Sequence, residues 1–340
     1  MIRYGIIGTG RMGNNHANMI AEIPEAKVTA AYDINPEALN AFCAKFQAEK
    51  CSSAMELAAR QDVDCVVITS PTYCHQEGIH AAVAAGKAIF CEKALCRTTE
   101  TAEEIRKTLA GYPQIFTVGF VRRHMPKSIL VKKLLSENYI GRVRFCNVDL
   151  PLGCYRRMPG DWFADFDLCG GAFVDMLAHH MDLANWFFGK AKTVYGQGTL
   201  LDPSQPKPAD YTTGIVTYEN GVICNMSCTW ARAGRTGELM EIYGDNGYLA
   251  LTGDEEVLYC PQEGETVKLD PNAESRKGAQ IDEGLNEVSF GNSFQLEFQH
   301  LTDALNGKET ALPTLLDALN SLQISLAMID SAKTGKVITL

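Results

Sequence analysis

The chain has 340 residues, 46% hydrophobic and 21% charged, a globular composition at a length that suits two domains better than one. Its 41 acidic against 31 basic residues give a net charge of −10, which argues against a general nucleic-acid surface. No uninterrupted apolar run is long enough to span a bilayer, and strand-like sequence starts at once with no room for a signal peptide, so a cytoplasmic protein without a membrane partner is expected.

The first apolar run, Ile2–Ile7, leads into Gly8-Thr9-Gly10-Arg11-Met12-Gly13, and a helical pattern follows through Met12, Ala17, Met19 and Ile20. A second run, Val28–Tyr32, ends at Asp33, twenty residues past Gly13. A GxGxxG turn between strand and helix, with an acid at that spacing, is the dinucleotide-binding fingerprint. Gly8 permits the tight turn, Gly10 lets backbone approach a pyrophosphate, and Gly13 lets helix and strand pack closely. The helix-start N–H groups face the phosphates, and Asp33 is placed for a ribose 2′-hydroxyl. The alternative is a glycine-rich turn that binds nothing. Thr9, Arg11 and Met12 complete the expected phosphate loop. NAD is expected in preference to NADP, because Asp33 repels a 2′-phosphate and Ile34, Asn35 and Pro36, not a basic residue, follow it.

Further apolar runs at Cys65–Thr69, Ala88–Cys91 and Ile115–Phe120 alternate with helical patterns at Pro36–Phe46, His75–Ala85 and Thr99–Leu109. Asn35 is placed to cap the first of these helices, with Pro36 in its first turn. Continuous apolar runs fit strands buried on both faces, so residues 1–122 are expected to form a doubly wound parallel sheet. Residues 123–340 read as an α+β domain with a large, mainly antiparallel open sheet, whose final helices can also pack back on the first domain. Its expected elements are a helix at Pro126–Glu137, a strand at Val143–Leu150, an irregular stretch at Tyr155–Leu168 and a helix at Gly171–Phe188. Strands at Thr193–Thr199, Thr212–Tyr218, Val222–Trp230, Leu239–Tyr243, Tyr248–Leu251 and Val257–Cys260 read as an antiparallel meander. A long loop over 262–288, helices at Phe294–Leu305 and Leu315–Lys333, and a short strand at Val337–Leu340 close the chain. Both alternating sets of Val222–Trp230 are largely uncharged, so the free face of the sheet is expected to be apolar and to join copies into a homodimer or homotetramer.

Twelve cysteines are scattered along the chain, and those inside apolar runs (Cys65, Cys91, Cys224, Cys228) read as reduced, buried thiols. Cys224 and Cys228 share a strand face but lack a second ligand pair, and the adjacent His179 and His180 point apart on a helix, so no metal is expected.

Four constellations carry candidate chemistry. Glu92 and Lys93 follow the run Ala88–Cys91, at a strand end where ligands of open α/β sheets bind and where burial would adapt a lysine for proton transfer; a solvated pair is the alternative. Ser70, Thr72 and His75 follow Cys65–Thr69 and are placed over the nicotinamide side of the cofactor, or Thr72 merely caps the next helix. Arg122 and Arg123 follow Gly119-Phe120-Val121 and are placed for substrate hydroxyls or phosphates, or form a solvated basic loop. On a single helix Asp175, His179, Asp182 and Trp186 fall on one face at i, i+4, i+7 and i+11. There His179 is placed to take a hydroxyl proton while Asp175 fixes its tautomer, or the stripe is a structural network. Tyr155, Trp162, His180 and Asp182 join Arg122 and Arg123 as candidate substrate contacts.

At these places together the chain resembles the glucose–fructose oxidoreductase/inositol dehydrogenase family, Gfo/Idh/MocA, over almost its whole length. The resemblance rests on the N-terminal fingerprint, Glu92-Lys93, Gly119-Phe120 with a following Arg, Gly170, Gly171, Asp175, His179 and Asp182, and the closing Gly335–Leu340. It implies NAD(P)-dependent oxidation of a sugar, cyclitol or related polyol hydroxyl, or its reverse, with Lys93, Asp175 and His179 at the family's catalytic positions. A glycoside-cleaving member that uses NAD transiently and a non-catalytic NAD-binding regulator are the alternatives. Two positions depart from the family pattern. Ala94 stands where a proline usual in the family permits a cis peptide, which alanine strongly disfavours. His180 directly follows His179, where inositol dehydrogenases differ, and this weakens inositol itself as the substrate.

Overall fold

The computed structural model describes residues 1–152, 161–199, 211–230, 237–253, 256–271 and 293–340. They divide into one compact unit of Met1–Val121 with Asn292–Leu319 and another of Arg122–Gly291 with Asn320–Leu340. No helix among the described residues is long and apolar enough to cross a membrane.

The first unit runs β1 (Ile2–Ile7), α1 (Arg11–Ala21), β2 (Ala26–Tyr32), α2 (Pro36–Phe46), β3 (Glu49–Lys50), α3 (Ala54–Ala59), β4 (Cys65–Ile68), α4 (His75–Ala84), β5 (Ala88–Cys91), α5 (Thr99–Thr108) and β6 (Phe116–Val118). The six strands lie in the order β3-β2-β1-β4-β5-β6, every pair parallel. The chain reverses direction across the sheet between β1 and β4, and a crevice at such a switch point is where open α/β sheets bind ligands. Both faces are covered, which explains the unbroken apolar runs. Tyr4, Ile6, Cys65, Val67 and Phe90 face Ala17, Ile20, Leu39 and Phe42 of α1 and α2. On the other face Gly5 admits Leu57 and Val63, and Gly78 of α4 sits on Ile68. Asn35 caps α2 by accepting from the Glu37 and Ala38 N–H groups. The two-residue β3 and the short α3 gave too little periodicity to be read from sequence.

The second unit contains α6 (Pro126–Ser136), β7 (Val143–Pro151), the short helices α7 (Phe166–Cys169) and α8 (Gly171–Val174), α9 (Ala178–Phe188), β8 (Ala191–Thr199), β9 (Tyr211–Tyr218), β10 (Ile223–Thr229), β11 (Leu239–Gly244), β12 (Gly247–Thr252), β13 (Val257–Pro261) and β14 (Val267–Leu269). After the undescribed 272–292 come α10 (Ser293–Leu305), which belongs to the first unit, then α11 (Leu315–Thr334) and β15 (Ile338–Thr339). The nine strands are ordered β14-β13-β12-β11-β7-β10-β9-β8-β15.

Three expectations need correction. The sheet is not one meander: β7 is inserted between β10 and β11 and runs parallel to β10, pairing Cys146 with Cys224. Val267–Leu269, placed in a loop from sequence, adds an edge strand to β13. The open face is also mixed rather than apolar. Phe145 stacks on Tyr243, and Ile215 and Ile223 are exposed, but Asn225 donates to Asn147 and Ser227 to Asp149. The covered face carries Cys146, Val148, Cys224, Met226, Met240 and Ile242, all buried. Met328 of α11 reaches so close to Gly196 and Gly214 that a Cβ on either glycine would meet it at 2.5 and 2.8 Å. Ten of the eleven described cysteines are buried.

Gly13 and Gly10 separate packing from ligand space. A Cβ on Gly13 would stand 2.1 Å from the Gly8 carbonyl oxygen, whereas one on Gly10 meets nothing within 4 Å. Gly13→Ala is therefore expected to cost about 1–3 kcal/mol of stability, and Gly10→Ala almost none. Thermal unfolding of the two variants checks this, and equal Tm values would refute it.

Candidate active site

Within the first unit, the expected cofactor residues gather at the carboxyl ends of β1, β2, β4 and β5. Gly8 takes a positive φ of 95°, and its Cβ position is blocked 2.6 Å away by the Ser70 N–H. The turn is held by its own acid. Asp33 accepts from the Thr9 backbone N–H (2.6 Å) and hydroxyl (2.9 Å) through one oxygen and from the Asn35 N–H (2.8 Å) through the other. A carboxylate has about four acceptor sites, so three such bonds leave room for a ligand hydroxyl on this half-buried residue. Gly10 caps α1 without any side-chain hydrogen bond, and Arg11 beside it is exposed. Uncapped N–H groups beside an open glycine form an anion cradle. These residues therefore fit the pyrophosphate and ribose of a dinucleotide. Met12 is half-buried and Gly13 lies behind the cradle.

Ser70, Thr72 and His75 occupy the loop after β4. The Ser70 hydroxyl is buried and meets no partner among the described residues. Thr72 does not cap α4. It begins a single turn of tight helix, Thr72–Cys74, and α4 starts after Cys74 with no side-chain cap. His75 is wholly buried, its ring nitrogens 2.9 Å from the Ser70 carbonyl and 3.2 Å from that of Leu95, and burial lowers its pKa. It ties the loop after β4 to the loop after β5.

Glu92 is buried and Lys93 half-buried. The peptide between Lys93 and Ala94 is cis, contrary to the expectation for alanine. The Glu92 carboxylate, expected on the cofactor, is directed inward, 2.6 Å from His16 Nε2 through one oxygen and accepting the Lys93 backbone N–H at 2.9 Å through the other.

In the second unit the expected helix over Gly171–Phe188 is broken. The Leu177 N–H bonds back five residues to the Ala172 carbonyl (3.0 Å) and the His180 N–H only three, to Leu177 (2.9 Å). A widened turn followed by a tightened one interrupts the 3.6-residue repeat, so the expected four-residue stripe does not form on one continuous helix. Asp175 lies in the break, and His179 in the first turn of α9; both are half-buried. Asp182 is wholly buried instead. Arg123 grips it with two bonds of 2.7 and 2.6 Å and sits 5.5 Å from the Trp186 ring centre. His180 is also buried, its Nε2 3.1 Å from Glu238, which pairs with Arg122 as well. Burial lowers the His180 pKa, and Arg122 lowers it further. Burial would raise Glu238, but His180 and then Arg122 outweigh it and hold the carboxyl far below its usual range. Trp162 is half-buried in a single turn capped by Asp161, and Tyr155 lies outside the described residues.

Sequence reasoning missed Glu238, His16 and Glu297. Glu238 precedes β11 with no local pattern to mark it. His16 and Glu297 were visible as polar residues on apolar helix faces, between Gly13 and Ile20 and between Phe294 and Leu301.

Comparison with known proteins matches residues 2–120 to the family model described as "Oxidoreductase family, NAD-binding Rossmann fold". Residues 132–340 match its partner, "Oxidoreductase family, C-terminal alpha/beta domain". An inositol 2-dehydrogenase of Rhizobium meliloti is 29% identical over 255 residues, covering 73% of this chain and 75% of its own. A scyllo-inositol 2-dehydrogenase (NAD(+)) of Bacillus subtilis is 24% identical over 348 residues, covering 100% and 96%. Among solved structures, a levoglucosan dehydrogenase in complex with NADH and levoglucosan shares the fold with a TM-score of 0.88 at 22% identity, over 99% of both chains. With both family models matched in order along the chain, this protein belongs to the Gfo/Idh/MocA oxidoreductase family.

Proposed function

We propose that this protein is an NAD-dependent dehydrogenase that exchanges a hydride with a secondary hydroxyl-bearing carbon of a sugar, cyclitol or related polyol. The observation that carries this reading is the cradle at Gly10, with α1 uncapped and Asp33 retaining acceptor capacity, at the same carboxyl edge of the sheet as the end of β5, which Lys93 follows. Bound NAD⁺ supplies the hydride acceptor at nicotinamide C4. The protein supplies position and the proton acceptor: the substrate C–H leaves as hydride, and the hydroxyl proton goes to His179 or Lys93 while Asp175 orients. Trp162 and Tyr155 are assigned to substrate, while Arg122 and Arg123 are committed to Glu238 and Asp182. The inositol and levoglucosan dehydrogenases among its relatives support a polyhydroxylated substrate. A screen of polyols and sugars with NAD⁺, read by NADH absorbance, tests the reading, and no turnover with any member would overturn it.

Asp33 sets cofactor choice. Losing one charge-assisted hydrogen bond is worth about 1.5–3 kcal/mol, so Asp33→Ala should erode the preference for NADH over NADPH about tenfold or more. Titration of both cofactors decides this; tighter NADPH binding by the unmodified protein would refute it.

Lys93→Met and His179→Ala should each lower turnover about 10²–10⁴-fold, with NADH affinity little changed. Full activity in both variants removes them from the mechanism. Loss of activity together with NADH binding assigns them to the cofactor site alone.

The aromatic stack of Phe145 and Tyr243, with exposed Ile215 and Ile223, gives the mixed open sheet face an apolar patch. A homodimer or homotetramer joined through this face is the expected assembly. Light scattering at micromolar concentration checks it, with the monomer mass as the contrary result.

A further inference from the structure

The first unit encloses a cluster of three buried titratable residues, His16, Glu92 and Glu297. His16, on α1, has no exposed surface. Its ring packs among Phe90, Phe294 and Phe298, with centroids at 5.4, 5.6 and 4.9 Å. Its Nε2 lies 2.6 Å from one oxygen of Glu92, whose other oxygen accepts the Lys93 backbone N–H at 2.9 Å. Glu297 stands on α10 three residues after Phe294, on the side of the helix that carries the Phe294 ring against His16. It is buried, and neither carboxyl oxygen meets a partner among the described residues.

Two ionised carboxylates in one apolar box would repel, and burial penalises each. Burial would raise Glu92, but His16 and Lys93 outweigh it and keep that carboxyl low. Burial, and then the Glu92 charge, push Glu297 well above the usual range. Ionisation is thus favoured at Glu92 and disfavoured at Glu297. A buried carboxyl without a partner is a cost to folding. Its place on α10 beside Phe294, which packs on His16, and its response to the Glu92 charge point to a role in setting the geometry of the β5 end.

We propose that His16 and Glu297 are positioning residues for Lys93, acting through Glu92. The His16 bond fixes one carboxylate oxygen so that the other holds the Lys93 main chain, and Glu297 closes the box from α10 without adding a second charge. The role rests on Lys93 acting in catalysis as set out above.

Two substitutions of His16 separate positioning from packing. His16→Phe keeps a ring against its aromatic neighbours but cannot donate to Glu92. His16→Gln loses the ring but keeps an N–H donor. Positioning requires kcat to fall about 10- to 100-fold in His16→Phe and to be largely retained in His16→Gln, with KM for NAD⁺ little changed in both. Packing alone gives the reverse order and overturns the proposal. Amide hydrogen exchange of the peptide spanning Lys93 supplies a readout without turnover: faster in His16→Phe, near the unmodified rate in His16→Gln. Unchanged exchange in His16→Phe also overturns it. Glu297→Gln, neutral and of the same shape, should keep kcat and Tm, and a loss of activity of about tenfold or more removes Glu297 from this role. If the unmodified protein oxidises no polyol, the functional reading fails while the exchange measurement still decides whether His16 holds the Lys93 turn.

Discussion

The approach of α1 to β1 at Gly13 and Gly8 is the constraint on which the first unit depends. With no room for a single methyl between Gly13 and the Gly8 carbonyl, the helix axis is fixed against the strand end. Thr69 reinforces the contact by donating its hydroxyl to the same carbonyl at 2.6 Å, which joins β4 to the turn. Asp33 then ties the turn to β2 through Thr9. Three neighbouring strand ends are thereby locked to one helix N-terminus. A dinucleotide needs preorganised N–H groups in that place, because ordering a loop at the moment of binding would cost affinity. The same contact orients His16, one turn further along α1, toward Glu92.

The second unit fixes its framework with buried charge instead. Arg123 and Asp182 are both removed from water, and their bidentate pairing with the guanidinium over Trp186 offsets desolvation. Removing one partner of such a pair typically costs about 3–5 kcal/mol, because the other charge is left stranded. The pair fastens the segment after β6 to the middle of α9. Arg122, one residue earlier, joins Glu238 and His180 in a separate cluster. Consecutive arginines thus anchor two different places on the second unit. A basic loop in solvent, one of the two readings open from sequence, does not describe them.

Legibility followed the locality of the signal. The glycine fingerprint, Asp33, the cap at Asn35 and the alternation of apolar runs are statements about neighbours in sequence, and each is found in place. The topology of the second sheet is not local. Nothing within Val143–Pro151 announces that β7 will pair with β10, some eighty residues later, in parallel. The broken helix at Asp175–Leu177 escaped for a different reason. Hydrophobic periodicity detects the average repeat of a helix, and a one-residue widening followed by a tightened turn nearly restores that average. Glu238 carried no pattern at all, since its partners Arg122 and His180 are distant in sequence and meet it only through the fold.

The adjacent histidines show what the break accomplishes. Neighbours on a helix point about 100° apart, so the two rings must enter different surroundings. His180 enters the interior, where burial and Arg122 disfavour its charged form and Glu238 takes its Nε2. An imidazole committed in that way is poorly suited to exchange protons with a ligand. His179, in the same turn, stays half-buried beside the half-buried Asp175 segment. Partial exposure is what a proton acceptor requires, because it must meet substrate in one step and release its proton in another. The order of the two residues therefore gives them separate surroundings: His180 joins the framework that holds α9, and His179 stays partly exposed, as the proposed proton acceptor must.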